Sequence, residues 1–352
     1  MAAPYEPYRR EARTSVRVNR RNYPIVGRLQ AAGRWWPVIE RHAYPGRERH
    51  IVFDRHAGPG GGLRGLFILN RSHASRQRLN VLRRVATTCS DMPAILECRF
   101  ERDHIVLIVT WVPGLALADY LQQVRCHAVS RPSPTESVRL VRGLAHAVSQ
   151  LHRHRQVIHG DLRPDNLILK TGSSRLVMID FGSAWTTEAT ARRDPGDGGV
   201  AAYLAPELQT RVGTVDGRSD QFSVSVILYE LLTLQLPYGG LGGSVLNFAS
   251  AETAARKLVP PGRLMSRRRQ IPRSLLKDID RLVLRGLALD PEHRFATSRD
   301  WLDHLDSLQT SIRVLALAPA TPSSVTGVIE WLVGCVERLR PGNDVDGKRS
   351  HD

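Results

Sequence analysis

Between residues 23 and 112, apolar residues arrive in short runs broken by polar and glycine-bearing segments, the rhythm of strands and loops. Ile105-Val106-Leu107-Ile108-Val109 is the clearest run, five consecutive apolar residues that predict a buried strand. Gly58-Pro59-Gly60-Gly61-Gly62 predicts a flexible loop, and Leu79, Val81, Leu82 and Val85 are the apolar positions of a helix over 76–85. After Pro113-Gly114 the period changes to that of helices. Ser133-Pro134-Thr135-Glu136 carries a capping serine, a proline at the first helical position and a glutamate three residues after the cap. The helix it starts extends to about His152, with Val138, Val141, Leu144, Val148 and Leu151 on one face. Residues 223–233 are apolar nearly all round and predict a buried helix, while 275–287 and 298–305 predict amphipathic ones. Residues 318–324 have linker composition, and Val325, Val328, Ile329, Leu332, Val336 and Leu339 share one face of a last helix that Pro341 stops. Strands first and helices second is an α+β order, not alternating βαβ. The chain therefore divides into a basic tail (1–22), a β-rich lobe (23–112), a larger helical lobe (113–310), a linker (311–324) and a terminal amphipathic helix with its tail (325–352).

Composition narrows the function classes. With 42% hydrophobic and 24% charged residues among 352, the chain can bury a core and is not a disordered polymer. No apolar run approaches the roughly 18 residues of a bilayer span. The opening MAAPYEPYRREAR has no apolar stretch after its charges, so neither a secretory signal nor a lipid anchor is expected, and the expected compartment is the cytoplasm. The formal net charge is +16, and only Lys170, Lys257, Lys277 and Lys348 among its basic residues are lysines. The arginines are scattered rather than blocked and lack aromatic interleaving, so nucleic acid is not an expected partner. Cys89, Cys98, Cys126 and Cys335 lie far apart without zinc-site spacing and read as free thiols.

The chemistry concentrates in Val157-Ile158-His159-Gly160-Asp161-Leu162-Arg163-Pro164-Asp165-Asn166 and, shortly after, Ile179-Asp180-Phe181-Gly182. Two acids and an amide, held on loops between apolar segments, offer the hard oxygen ligands that Mg²⁺ prefers. These stretches resemble the catalytic loop and metal-binding loop of the protein kinase family. Tyr203-Leu204-Ala205-Pro206-Glu207 resembles the end of that family's activation segment. Residues 219–232 resemble the buried helix after it, and 289–295, with Arg294, the segment whose arginine pairs with Glu207. The style is that of bacterial Ser/Thr kinases.

The resemblance implies a two-lobed fold with a small β-rich N-lobe and a larger, mainly helical C-lobe. It also implies transfer of the ATP γ-phosphate to Ser/Thr of a protein substrate, with ATP and Mg²⁺ as cofactors. Asp161 would take or orient the substrate hydroxyl proton, with Arg163 close to the transferred phosphate. Asn166 and Asp180 would hold metal. Thr110-Trp111-Val112, with Val109 behind, would form the hinge that receives the nucleotide base. Glu207 and Arg294 would form a structural ion pair, and Asp220 would hydrogen-bond the catalytic-loop backbone.

The N-lobe departs from the family. The first lysine is Lys170, so no residue before it can be the family's third-strand lysine. With 50–55 as the candidate third strand, Arg55 is the expected substitute, and Arg78 on the following helix the competitor. The glycine-rich loop is matched by 27–36, where Gly33 is the retained glycine, and Gly58–Gly62 reads as an insertion. Gly160 replaces an arginine, and a threonine expected near Val200 is absent. These departures keep an alternative open: a pseudokinase acting as a nucleotide-binding or scaffold module.

Overall fold

The computed structural model describes residues 8–9, 14–44, 47–58, 61–71, 79, 81, 92–181, 183–186, 200–209, 216–247, 249–265 and 271–317. The first lobe carries β1 (Tyr8–Arg9), β2 (Thr14–Val18), β3 (Arg21–Ile25), β4 (Gly27–Ala31), β5 (Arg34–Tyr44), β6 (Arg47–Asp54), β7 (Gly62–Asn70), β8 (Ile95–Phe100) and β9 (His104–Thr110). Seven of these form one antiparallel sheet in the order β1-β4-β5-β6-β7-β9-β8. The apolar run 105–108 is continuous because β9 is interior and covered on both sides. Val106 and Ile108 join Leu29, Trp36, Val38, Val52, Leu66 and Ile68 on one face. Ile105 and Leu107 meet Leu69 and the helical Leu79 on the other.

Three expectations change here. Part of the predicted tail is folded: β2 and β3 form a hairpin whose Val16, Val18 and Tyr23 pack on Ile51, Phe53, Leu63 and Trp111. The segment 50–55 is not the third strand. It belongs to β6, which pairs β5 as the second strand of the β5-β6-β7-β9-β8 series, and the third is β7. The Gly58–Gly62 stretch is thus the connection into that third strand. Ala32 and Gly33, at φ of 53° and 75°, form the two-residue turn of the β4–β5 hairpin, where positive φ favours glycine.

The second lobe contains β10 (Gly114–Ala116), α1 (Leu117–Arg125), α2 (Pro134–Gln150), β11 (Val157–Ile158), β12 (Leu167–Lys170), β13 (Leu176–Met178), β14 (Trp185–Thr186), α3 (Pro206–Gln209), α4 (Arg218–Thr233), α5 (Ala251–Arg256), α6 (Pro261–Leu264), α7 (Arg273–Gly286) and α8 (Ser298–Leu317). The predicted start of α2 is present in full: Ser133 Oγ accepts from Glu136 N–H at 3.2 Å and Glu136 Oε2 accepts from Ser133 N–H at 2.8 Å. Helix α4 is buried from Ser219 to Thr233 and packs against α2 and α7, on which α8 packs in turn. Helix α8 runs beyond the predicted 305, to Leu317, and occupies the start of the stretch read as a linker. Leu305, Leu308 and the buried Ile312 continue its inner face. The helix predicted over 325–339, and Arg78, lie outside the described residues. No described helix is long and apolar enough to cross a membrane.

Candidate active site

Burying α4 fixes the loop that precedes β12. Asp220, in the first turn of α4 and fully buried, accepts from His159 N–H and Gly160 N–H, each at 2.9 Å, and pairs with His152 Nε2 at 2.8 Å. Burial pushes this carboxyl's pKa up, but His152, the neighbouring His159 and the Gly160 amide hold it below the ordinary value. Gly160 sits at φ 69°, where a side chain brings strain, so the arginine expected from the resemblance is disfavoured by the backbone itself. His159 is enclosed and meets the Phe181 ring at a tilt of 51°, with centroids 4.7 Å apart. Burial lowers its pKa, against the pull of the carboxylates of Asp220, Asp161 and Asp180, so the ring is held neutral.

The anchored loop presents Asp161. Asn166 Nδ2 donates to Asp161 O at 2.9 Å and to its Oδ2 at 3.0 Å, so the amide oxygen of Asn166 points away from Asp161. Arg163 lies 3.6 Å from Asp161 Oδ1 and 3.3 Å from Asp165 Oδ2. The segment that follows β13 is tied to the same place: Ile179 N–H donates to Asn166 O at 2.8 Å. Asp180 follows at φ 63°, a left-handed conformation that ends β13's line and turns the carboxylate to the cleft.

That cleft, about 860 Å³ and open to solvent, lies between the sheet and the second lobe. Gly65, Phe67 and Val109 line it from the sheet, Thr110, Trp111 and Val112 from the hinge, and Ile168, Ile179, Asp180 and Phe181 from below. At the hinge, Thr110 N–H and Oγ1 are both engaged with Ala94, at 2.9 Å each. Among the described residues, Val112 N–H and C=O make no hydrogen bond. They are the backbone donor and acceptor that a flat heteroaromatic base requires.

Of the residues singled out from sequence, Asp161, Arg163 and Asn166 are gathered on one loop, and Val109, Thr110, Val112 and Asp180 line one cleft. Two are not there. Gly33 is exposed in the β4–β5 turn beside Arg99, and Arg55 is exposed just past the end of β6, beside Arg28, Trp35 and His56. Both were displaced by the same error of strand count. The residues of the third strand that line the cleft, Gly65, Phe67 and Leu69, were missed. The signal for them was the Pro45-Gly46 turn pair between two long strand-like runs, which marks the first hairpin of the series. Among the described residues no group of three or more His, Cys, Asp or Glu side chains is placed to hold a metal. A carboxylate at 180 and an amide at 166 remain, a sparse oxygen set of the kind that suits an ion retaining its own waters.

Further from the cleft, Arg294 is buried and bidentate on Glu207, at 2.6 and 2.9 Å, and also donates to the carbonyls of Ala288, Arg218 and Leu289. This pair fixes the start of α3.

Residues 71–305, more than half of the chain, match the model of the protein kinase domain. The chain is 27% identical over 203 residues to the serine/threonine-protein kinase PrkC of Bacillus subtilis, covering 57% of this chain and 28% of that protein. It is 30% identical over 202 residues to the serine/threonine-protein kinase PknB of Mycolicibacterium smegmatis, covering 55% of this chain and 29% of that one. The chain thus spans less than a third of the length of these curated relatives. In fold it is similar to the crystallised PknI kinase domain of Mycobacterium tuberculosis, with a TM-score of 0.54 at 19% identity, covering 80% of this chain and 98% of the other. A double mutant of that domain gives 0.56 at 18% identity, covering 78% and 95%. The family match begins after β7, so the strands that depart from expectation lie before it.

Proposed function

Because the chain belongs to the protein kinase family, we propose that it transfers the γ-phosphate of ATP to a serine or threonine hydroxyl of a protein substrate. The observation that carries this reading is the loop on which Asn166 holds Asp161, tied through Ile179 N–H to the residue before Asp180, which lines a cleft whose hinge offers Val112 N–H and C=O. Phosphoryl transfer asks a protein for position and charge neutralisation rather than for a nucleophile of its own.

Each residue has a role within that demand. Asp161 accepts the substrate hydroxyl proton; it is buried yet kept in place by the Asn166 amide. Asn166 and Asp180 are the residues that would hold magnesium, which supplies charge neutralisation at the nucleotide phosphates. Arg163, beside Asp161, directs its guanidinium to the transferred phosphoryl group. The neutral His159 and Phe181 exclude water beneath the loop and tie it to the metal-binding strand.

A second reading, a nucleotide-binding or scaffold module without transfer, draws on one observation: the cleft face of β7 carries Gly65, Phe67 and Leu69 and no cation. Two variants separate the readings. Asp180→Asn is expected to abolish the magnesium-dependent part of ATP binding in calorimetry, while Asp161→Asn binds Mg-ATP as wild type and loses transfer of label to a generic basic protein. Equal transfer by wild type and Asp161→Asn removes Asp161 as the base; no transfer by wild type, with Mg-ATP bound, leaves the scaffold reading.

A further inference from the structure

Register decides which side chains of the sheet face the cleft. Strand β7 pairs with β6 so that Arg49 lies opposite Phe67 and Ile51 opposite Gly65, and with β9 so that Phe67 lies opposite Leu107 and Gly65 opposite Val109. Directly opposed residues of an antiparallel ladder project from the same face. Gly65, Phe67, Leu107 and Val109 line the cleft, and Arg49 lines it with them. Its sequence neighbours Glu48 and His50 fall on the opposite face, where Glu48 takes His50 Nε2 at 2.9 Å and Arg41 at 3.2 Å. Arg49 is therefore separated from the acid beside it in sequence.

Arg49 is the basic residue among those lining the cleft, and Asp180 is the acidic one. Among the described residues the Arg49 side chain makes no hydrogen bond or ion pair. Other arginines near the sheet are occupied or elsewhere. Arg64 projects to the far face and lies 3.6 Å from Asp54, Arg34 lies 4.0 Å from Asp54 and 3.8 Å from Glu97, and Arg41 holds Glu48. A half-buried guanidinium among apolar walls carries a desolvation cost that an anionic ligand relieves.

We infer that Arg49, reaching down from β6, is the phosphate-binding cation of this cleft and takes over the charge that the third strand lacks at Phe67. The ligand class is a nucleoside polyphosphate with its phosphates between Arg49 and Asp180. The inference rests on the nucleotide reading above and adds to it the residue that contacts the phosphates. Phe67 is then an apolar wall beside the arginine stem rather than a mark of a dead site.

The test compares two probes, Mg-ATP and adenosine, by calorimetry on the full chain. Arg49→Met removes the charge and keeps the stem; Arg49→Lys restores a charge; Arg49→Met with Phe67→Lys moves the charge one strand over; Arg299→Ala is a surface control. Loss of a charged hydrogen-bonded contact is expected to weaken Mg-ATP by about ten- to a hundred-fold in Arg49→Met. Adenosine should stay within about two-fold, Arg49→Lys should recover part of the loss, and the relocated lysine should recover more than Arg49→Met alone. The ligand-free melting temperature reports folding, and Arg49→Gln replaces Arg49→Met should the latter not fold. Wild-type affinity of Arg49→Met for Mg-ATP, or an equal loss for adenosine, overturns the assignment while leaving the nucleotide reading intact. A wild-type chain that binds neither probe overturns both.

Discussion

The Asp220→Asn substitution tests whether α4 builds the catalytic loop. Asp220 is fully buried, and its two oxygens accept two backbone N–H groups at 2.9 Å and the His152 ring at 2.8 Å. Asparagine has the same shape but one acceptor oxygen. Whichever way the amide is turned, its NH₂ faces an N–H donor of His159 or Gly160 and leaves that donor buried and unpaired. One unsatisfied buried donor costs about 1–3 kcal/mol, and losing the charge on the remaining bonds adds about 1 kcal/mol. A loss of about 2–4 kcal/mol in unfolding free energy is expected, read from urea transitions followed by tryptophan fluorescence at pH 7. The loop bears Asp161 one residue after Gly160, so phosphoryl transfer should fall more than Mg-ATP affinity. The wild-type carboxyl is held below its ordinary value, so its stabilisation is present above the unfolded value and disappears as pH falls through the lower folded one. The difference between wild type and variant should shrink on acidification. A variant within about 0.5 kcal/mol of wild type at pH 7 refutes the idea that this carboxylate organises the loop, since surface substitutions alone stay in that range.

The second lobe was legible in the sequence because its residues obey one rule at a time. The cap Ser133/Glu136, the inner stripe of α2 and the all-round burial of α4 follow from period and capping alone. Asp161, Asn166 and Asp180 stand out because polar residues between buried strands are expensive unless used. The first lobe was not legible in the same way. Its strands β2 to β7 follow one another through short turns, and periodicity shows that strands exist without showing which pair with which. Counting the strands one place out put Arg55 where the phosphate cation was sought and left Arg49 unnoticed, although both lie on β6 or just beyond it. Chain position favoured Arg55; the register favours Arg49, which lies opposite Phe67 on the cleft face, whereas Arg55 follows the end of β6 at Asp54. Likewise Gly33 satisfies a hairpin turn by its positive φ, a local need that looks the same in sequence as a phosphate loop. The long reach of α8 to Leu317 was hidden by polar residues on its outer face, with Ile312 the inner position that extends it.

Two further substitutions probe the scaffold. Arg294→Met takes the bidentate guanidinium from the largely buried Glu207 carboxylate, which keeps Ser219 Oγ at 2.7 Å, and should cost about 3–5 kcal/mol by chemical denaturation; a loss under about 1 kcal/mol refutes a structural role for the pair. His50 tests the outer face of the sheet through pH. The ring is fully buried, with Nε2 at 2.9 Å from Glu48, and burial pushes its pKa down to about 4; Glu48 pulls it back, while Arg41 and His42 press it lower. The unfolded chain binds a proton near pH 6.5 that the folded chain refuses until near pH 4, so stability is complete above pH 6.5 and declines as pH falls towards 4. Between pH 6.5 and 5 the decline from this one group amounts to about 2 kcal/mol, before the carboxylates begin to titrate. His50→Gln keeps an N–H donor for Glu48 without titrating, and should flatten the profile in that interval whatever its absolute stability. Buried His159, also shifted down, acts in the same direction and persists in the variant, so the quantity to measure is the difference between the two curves. An unchanged difference at pH 7.5 and pH 5 shows that His50 binds its proton equally in the folded and unfolded chain, and the burial argument for this residue then fails.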